Sequence, residues 1–284
     1  MSEGAVRPLD AGEAVVESLR AVADQLDATL GPALLDRPDG VHAHRKAVRR
    51  LRSTLAAYRP FFDDDTVRRL HHAYREWGRE LGEARDLEVR IAVAERFVDS
   101  DDPAGAQLLD ELRAAYDAAH RGVARRGVTK AAQERRHELA VFLEAPPRTP
   151  KAGRRTKRGL RRRIAKEGDR VLARAEVATA SPDDEEAVHE LRKAARRLRY
   201  AVESVTRPPV GVFGAKAEAV ASGAERIHDI LGDVRDTLAF ARTYDGAGAD
   251  DATPAVRARA EAAEKLDEVS AAVDDLRQAL AQFR

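Results

Sequence analysis

The sequence predicts an all-α protein. Only 5% of the 284 residues are aromatic and 35% are charged, and alanine, arginine, leucine and glutamate, all favourable in helices, dominate. Continuous β-branched runs of the kind that make buried strands are missing. Apolar residues instead recur at three- and four-residue spacing along most of the chain.

Val15, Leu19, Val22, Leu26 and Leu30 make a first amphipathic helix, expected to break at Gly31-Pro32. Arg37-Pro-Asp-Gly40 is a turn leading into a long helix that Pro60 should stop near Arg59. Val67, Leu70, Tyr74, Trp77 and Leu81 mark the next, running toward Val98. After the break at Asp99 to Pro103, Leu108, Leu112, Ala115, Ala119 and Val123 give a helix ending near Gly127, and a shorter one runs to about Glu144. Ala145-Pro-Pro-Arg-Thr-Pro150 is the clearest internal boundary. It divides one domain, residues 10–284, into halves 10–145 and 151–284. A very basic helix follows, roughly 154–179. Ser181-Pro182-Asp183-Asp184 reads as a helix start, with Ser181 as cap, Pro182 in the first turn and acids at the positive end of the dipole. That helix should end at Pro208-Pro209. Two long helices, about 214–243 and 254–283, complete the chain around a Gly/Asp loop.

The chain has no cysteine, which excludes disulfides and thiolate metal sites. No apolar run approaches the ~20 residues that span a bilayer, and Met1 to Arg7 lacks a secretory pattern, so the expected location is the cytosol, with no membrane. The net charge is only +1, but it is unevenly spread. Residues 148–170 hold eleven Arg/Lys against two acids, Glu167 and Asp169. Acids collect elsewhere, at 63–65, 101–102, 183–186 and 250–251.

The most informative feature is a repeat. Val41-His-Ala-His-Arg-Lys-Ala-Val-Arg-Arg-Leu-Arg52 returns as Val188-His-Glu-Leu-Arg-Lys-Ala-Ala-Arg-Arg-Leu-Arg199, with nine of twelve positions identical. Leu81-Gly-Glu-Ala-Arg-Asp86 is matched by Leu231-Gly-Asp-Val-Arg-Asp236. The two offsets are 147 and 150 residues, which argues for duplication of a whole helical half.

At 100° per residue, His42, Arg45, Lys46, Arg49 and Arg52 share one side of a helix, and Val41, Ala47, Val48, Leu51 and Leu55 the other. The second copy places His189, Arg192, Lys193, Arg196, Arg199 and Tyr200 opposite Val188, Ala194, Leu198 and Val202. Like charges three or four residues apart each cost roughly 0.2–0.5 kcal/mol. A face that keeps one sign twice is expected to meet an anion, and arginine grips phosphate oxygens with a planar fork. The plainer alternative is a face neutralised by acids from neighbouring helices, with Asp86, Asp236 and Glu203 as partners. Gly82 and Gly232 suggest close helix approach. Arg85 and Arg235 either reach the anion or pair with an aspartate. Glu-x-x-His occurs at Glu134/His137, Glu186/His189 and Glu225/His228, a spacing that can hold two metals in a bundle, but Arg192, Lys193 and Arg196 would repel a divalent cation from His189. No Walker loop, serine-nucleophile elbow, paired-carboxylate signature or zinc spacing is present.

These motifs resemble those of the conserved histidine α-helical domain, CHAD, whose hallmark is a repeated His-x-x-Arg basic helix followed by Leu-Gly-x-x-Arg-Asp. The resemblance covers residues 10 to 284, and Arg199-Tyr200-Ala-Val-Glu203 extends it. It implies two four-helix bundles related by a pseudo-two-fold, basic helices lining a central groove or pore, and non-catalytic binding of inorganic polyphosphate there with no cofactor. Some members associate with polyphosphate or polyhydroxyalkanoate granules. His44 departs from the pattern, standing where Leu191 stands in the second copy, and is read as structural. The expected polyphosphate-binding residues are His42, Arg45, Lys46, Arg49, Arg50, Arg52 and Arg85 in the first half. In the second they are Arg158, Arg161, Arg162, His189, Arg192, Lys193, Arg196, Arg197, Arg199, Tyr200 and Arg235. The near absence of aromatics on the basic faces favours this ligand over single-stranded nucleic acid, which needs stacking platforms. Two other readings remain: an enzyme of polyphosphate turnover using His42 and His189, and a nucleic-acid or scaffold protein making contact through residues 148–166.

Overall fold

Helices begin where the sequence supplies an oxygen to cap them. In the computed structural model, which describes residues 9–99, 101–153, 156–181, 184–246 and 253–284, Asp10 opens α1 (Ala11–Leu34) with a reciprocal capping box to Glu13, both bonds 2.8 Å long. Asp63 caps α3 (Asp64–Phe97), and Asp102, followed by Pro103 in the first turn, caps α4 (Pro103–Gly127). Thr129 caps α5 (Lys130–Glu144). The start of α7 (Glu185–Thr206) differs from expectation. The cap is Asp184, whose carboxylate accepts from the backbone of Glu186 and Ala187, and not Ser181; Pro182 and Asp183 lie outside the described residues. The remaining helices are α2 (Gly40–Tyr58), α6 (Thr156–Ala180), α8 (Ala215–Gly246) and α9 (Thr253–Phe283). The Gly/Asp loop before α9 also lies outside the described residues.

Pro32 does not break α1. It sits in the last turn, where few backbone bonds remain to be lost, and Leu35 N–H closes the end on the Gly31 carbonyl at 3.1 Å. The fully buried Ala33 holds that turn against the protein, and its carbonyl meets the His120 ring at 2.9 Å.

Each half closes a ring of four helices. In the first, α1 packs on α2, α2 on α3, α3 on α4 and α4 back on α1; in the second, α6, α7, α8 and α9 do the same. The first half carries a fifth helix, α5, outside its ring against α1 and α3. The halves meet at two joints. At one, α2 packs on α7 in an apolar core that runs through both halves, and the buried Tyr58 hydroxyl donates to the Ala201 carbonyl at 2.7 Å. At the other, α3 meets α8 and α9 through a separate cluster that includes Phe97, Leu112, Phe240 and Tyr244. Among the described residues no helix is long and apolar enough to cross a membrane.

His44 is buried and part of a hydrogen-bonded chain. The Trp77 indole N–H donates to its Nε2 at 2.9 Å. An indole only donates, so Nδ1 carries the proton, which leaves it to donate to Thr29 Oγ1 at 2.9 Å. Burial, followed by the charge of Arg135, pushes its pKa down to about 4, so the ring stays neutral.

Candidate anion-binding site

The two joints leave a space between them. The helices α2, α3, α8 and α7 each pack on the next, two from each half, around a cavity of about 600 Å³. Nine arginines and lysines line it against five acids, together with His42, His189 and His228. A neighbouring cavity of about 560 Å³, between α2, α3, α6 and α7, is lined by eight arginines and lysines against Glu190 alone, with His71. Arg49 and Arg196 line both cavities. One comes from each copy of the repeat, and neither has an ion-pair partner among the described residues.

The two sequence motifs build this wall together. A Cβ at Gly82 would collide with the Arg45 guanidinium, and one at Gly232 would lie 3.1 Å from Nη2 of Arg192. The glycines therefore make room for the first arginine of each basic helix, where close contact between helix backbones was expected. Arg45 is further fixed by the Gly78 carbonyl at 3.2 Å and Asp86 at 3.4 Å. Arg192 has no such acid among the described residues, and its Nε is buried without a partner.

The electrostatics record how poorly this positive charge is compensated. Burial, then the charges of Arg49 and Arg192, bring the Arg196 guanidinium down to about 9. Burial, then Arg235, brings Arg192 down to about 10. Both remain cations at neutral pH, but both are strained by desolvation among like charges. His42 lies below the ordinary histidine value because of burial, then Arg85, and its Nδ1 is buried and unpartnered. His189 is lowered by burial, then Lys193. His71, which sequence reasoning missed, and His228, which it singled out only in a Glu-x-x-His pair, both fall to about 4, chiefly by burial.

Most expected site residues gather here. His42, Arg45, Lys46, Arg85, His189, Arg192, Arg199, Tyr200 and Arg235 line the first cavity, and Arg52, Lys193 and Arg197 the second. Arg50 is half-buried but lines neither. Several are already neutralised. Arg197 bonds the buried Glu167 at 2.8 Å, Arg199 bonds Glu203 at 2.9 Å and Glu225 at 2.5 Å, and Lys193 pairs with Glu190. Arg235 pairs with Asp236, the next residue of α8, at 2.6 Å, and Arg85 with Glu88 of its own helix at 2.9 Å, so neither pair ties two helices together in the way the plainer reading had it.

The basic run of α6 does not converge on the cavities where it was expected to. Arg158 and Arg162 are exposed and line neither cavity, and Arg161 lies over the rings of Phe213 and Phe283, 5.9 and 5.6 Å from their centroids. Helical geometry explains this. Arg163, which bonds the Ala57 carbonyl at 2.7 Å, points the stripe toward α2. Residues seven and eleven further on repeat that direction, and those are Arg170 and Arg174, which do line the second cavity. Arg154 and Arg155 lie outside the described residues. Arg75 of α3, one turn beyond His71, also lines the second cavity. The i, i+4 pair His71/Arg75 was the available signal. As for the Glu-x-x-His pairs, no group of three His, Asp or Glu placed to hold a metal occurs among the described residues.

No curated protein matches the chain. Two solved structures resemble it in fold. PptA from Streptomyces chartreusis superposes with a TM-score of 0.68 at 21% identity, covering 95% of this chain and 99% of its own. The crystal structure of the CHAD domain from the plant Ricinus communis superposes with a TM-score of 0.71 at 19% identity, covering 100% and 96%. The CHAD domain family itself matches residues 17–245, which include both basic motifs and both glycine motifs. The chain belongs to the CHAD domain family.

Proposed function

We propose that this protein binds inorganic polyphosphate in the basic cavities between its halves, without turning it over. The carrying observation is the pair Arg49 and Arg196, half-buried, free of acids and shared by both cavities. Holding like charges together in a partly desolvated space costs folding energy that the chain does not recover internally. A linear polyanion laid along both cavities returns it, since each phosphate oxygen accepts charge-assisted bonds from guanidinium forks. The assigned contacts are Arg45, Arg49, Arg52, Arg192 and Arg196, with Lys46, His42 and His189 at their flanks. Neither Phe nor Trp lines either cavity among the described residues, and the one tyrosine, Tyr200, is buried, which favours a phosphate chain over single-stranded nucleic acid. A cytosolic protein, with polyphosphate granules as one setting, fits this reading.

The test is titration with polyphosphates of increasing length against single-stranded oligonucleotides. Affinity should rise with length, fall steeply with salt as counterions are released, and raise the melting temperature by mass action. Oligonucleotide binding as tight as that of long polyphosphate would overturn the ligand assignment. Phosphate release lost in His42→Ala or His189→Ala while binding persists would overturn the non-catalytic reading.

A further inference from the structure

We propose that the first half contains a second, separate site, which takes a monocarboxylate with an apolar body. It lies behind the basic helices, between α1, α3 and the fifth helix α5, in a cavity of about 380 Å³. Among the described residues the second half has no helix corresponding to α5, so the cavity has no counterpart there.

The starting anomaly is in the sequence of α5. Arg135, Leu139 and Leu143 follow at i, i+4 and i+8, one stripe of the helix. Leu139 and Leu143 are buried, as an inward stripe requires, but the stripe begins with a cation. The Arg135 guanidinium lies over the Trp77 ring at 4.7 Å and the Tyr74 ring at 5.7 Å. Its Nε is buried without a partner, and no carboxylate is within ion-pair distance of it among the described residues. Glu80 is near enough to favour its charge but is in ion-pair range of Arg126 instead, and a half-buried guanidinium stacked on an indole with no acid in contact is an unfilled receptor for one. Arg136 stands beside it, and the exposed Asp27 is the only acid lining the cavity, which leaves one positive charge over.

The remaining walls define what the anion is attached to. Leu26, Leu30, Leu139 and Leu143, with Ala23 and Ala140, line the cavity. His44 is on the wall too, but Trp77 and Thr29 occupy both its nitrogens, so it offers a neutral face and no free polar group. A polyanion is unsuited to such walls, because most of its charges would meet carbon. A single carboxylate on a chain or ring matches them: the head meets Arg135 and Arg136, and the body covers leucine. This is the usual make-up of a small-molecule pocket, apolar walls with a few convergent polar groups.

Trp77 is the sole tryptophan of the chain and lines the cavity, so it reports on occupancy directly. Octanoate titrated into the full chain should change Trp77 emission saturably, with a Kd on the order of 0.1–1 mM. 1-Octanol should bind at least about tenfold more weakly, and Arg135→Gln should weaken octanoate by a similar factor. Ala140→Phe, which fills the cavity from its exposed rim, should abolish the signal with the fold intact by circular dichroism. Saturating polyphosphate should leave the octanoate Kd unchanged. No saturable change in emission would overturn the site. Equal affinity for octanol and octanoate would reduce it to an apolar gap that Arg135 does not read, and competition by polyphosphate would place octanoate in the basic cavities instead. The result is independent of whether polyphosphate binds at all.

Discussion

The helices α2 and α7 carry nearly the same twelve residues but differ in how their charge is balanced. At the first arginine they share a position but not a partner: Arg45 and Arg192 both lie across a glycine of the following helix, and only Arg45 reaches an acid, Asp86, among the described residues. At the next turn the copies agree, Arg49 and Arg196 both lacking an acid there. They then diverge. Among the described residues Lys46, Arg50 and Arg52 have no ion pair, whereas their counterparts Lys193, Arg197 and Arg199 are held by Glu190, Glu167, and Glu203 with Glu225. The acids that make the difference lie mostly outside the motif, on α6, on α8 and one turn further along α7. A repeated motif therefore fixes where its cations sit, while the surrounding helices decide which of them remain available. On this reading α2 is the more open wall of the site, and α7 does double duty as a structural tie.

The strongest way to break the comparison is to remove the pair on which the copies agree. A double Arg49→Ala, Arg196→Ala variant deletes two charge-assisted contacts worth roughly 1.5–3 kcal/mol each. Polyphosphate affinity should fall by at least about 100-fold. Because the pair is repulsive and unpaired, the melting temperature without ligand should hold or rise. A variant that binds as tightly as the parent would move the ligand away from these cavities.

The next largest effects should separate the copies. Arg52→Ala removes an unpaired cation, so affinity should drop about tenfold with little change in urea stability. Arg199→Ala removes a partner of the buried Glu203 and leaves that carboxylate with Arg207, 3.0 Å away. Stability should fall by about 1–3 kcal/mol, and affinity by less than for Arg52→Ala, since the Arg199 charge is already spoken for. Equal losses of affinity with no loss of stability in either variant would show that internal pairing does not set availability.

A smaller contrast tests the glycines. A Cβ at Gly82 meets Nη1 of Arg45 head-on, whereas at Gly232 the nearest atom, on Arg192, is 3.1 Å away. Both changes put alanine into a helix interior, which by propensity alone favours the folded state by up to about 1 kcal/mol. Gly82→Ala should weaken polyphosphate binding several-fold by displacing a guanidinium, and Gly232→Ala less. A parallel loss of stability in both would mean that the glycines serve backbone packing after all.

How much of this was legible beforehand follows from the same physics. Periodicity and caps are local, so the helices could be read directly, apart from the Pro32 turn and the Asp184 cap. The cationic faces of α2 and α7 were equally readable, because a face is a property of one helix. What failed was much of what needed a neighbour, although Asp86 of α3 does pair with Arg45 and the two basic faces do meet across one cavity. Arg158, Arg161 and Arg162 are part of a conspicuous charge run, yet the rotation of α6 is set by Leu160, Ile164 and Val171 packing inward, and that turns Arg170 and Arg174 toward the cavity instead. Local charge density could not show that Arg197 would be taken by Glu167, thirty residues earlier. Nor could it show that Gly82 would serve an arginine.

The two copies differ least at their histidines. His42 and His189 both sit below the ordinary histidine value in the free protein, chiefly through burial and then neighbouring cations. Both are thus largely neutral at pH 7. Phosphate oxygens beside them favour the charged ring, so binding raises both pKa values and draws in protons. Affinity should therefore increase as pH falls from about 7.5 to 5.5, each histidine contributing less than one proton. The copies should not contribute equally. Their charged surroundings match. His189 faces Lys193, paired with Glu190, and Arg192 and Arg196, which have no ion pair among the described residues, opposed by Glu186. His42 faces Arg85, paired with Glu88, and the likewise unpaired Arg49 and Lys46, opposed by Asp39. Burial separates them: His189 is exposed, whereas His42 is half-buried with an unpartnered Nδ1. It has more to gain when an anion arrives. His42→Ala should flatten the pH dependence of polyphosphate affinity more than His189→Ala, with only a few-fold loss at pH 7.5 in either. An affinity that does not change between pH 5.5 and 8 would mean that both rings remain neutral in the complex and act only as hydrogen-bonding groups.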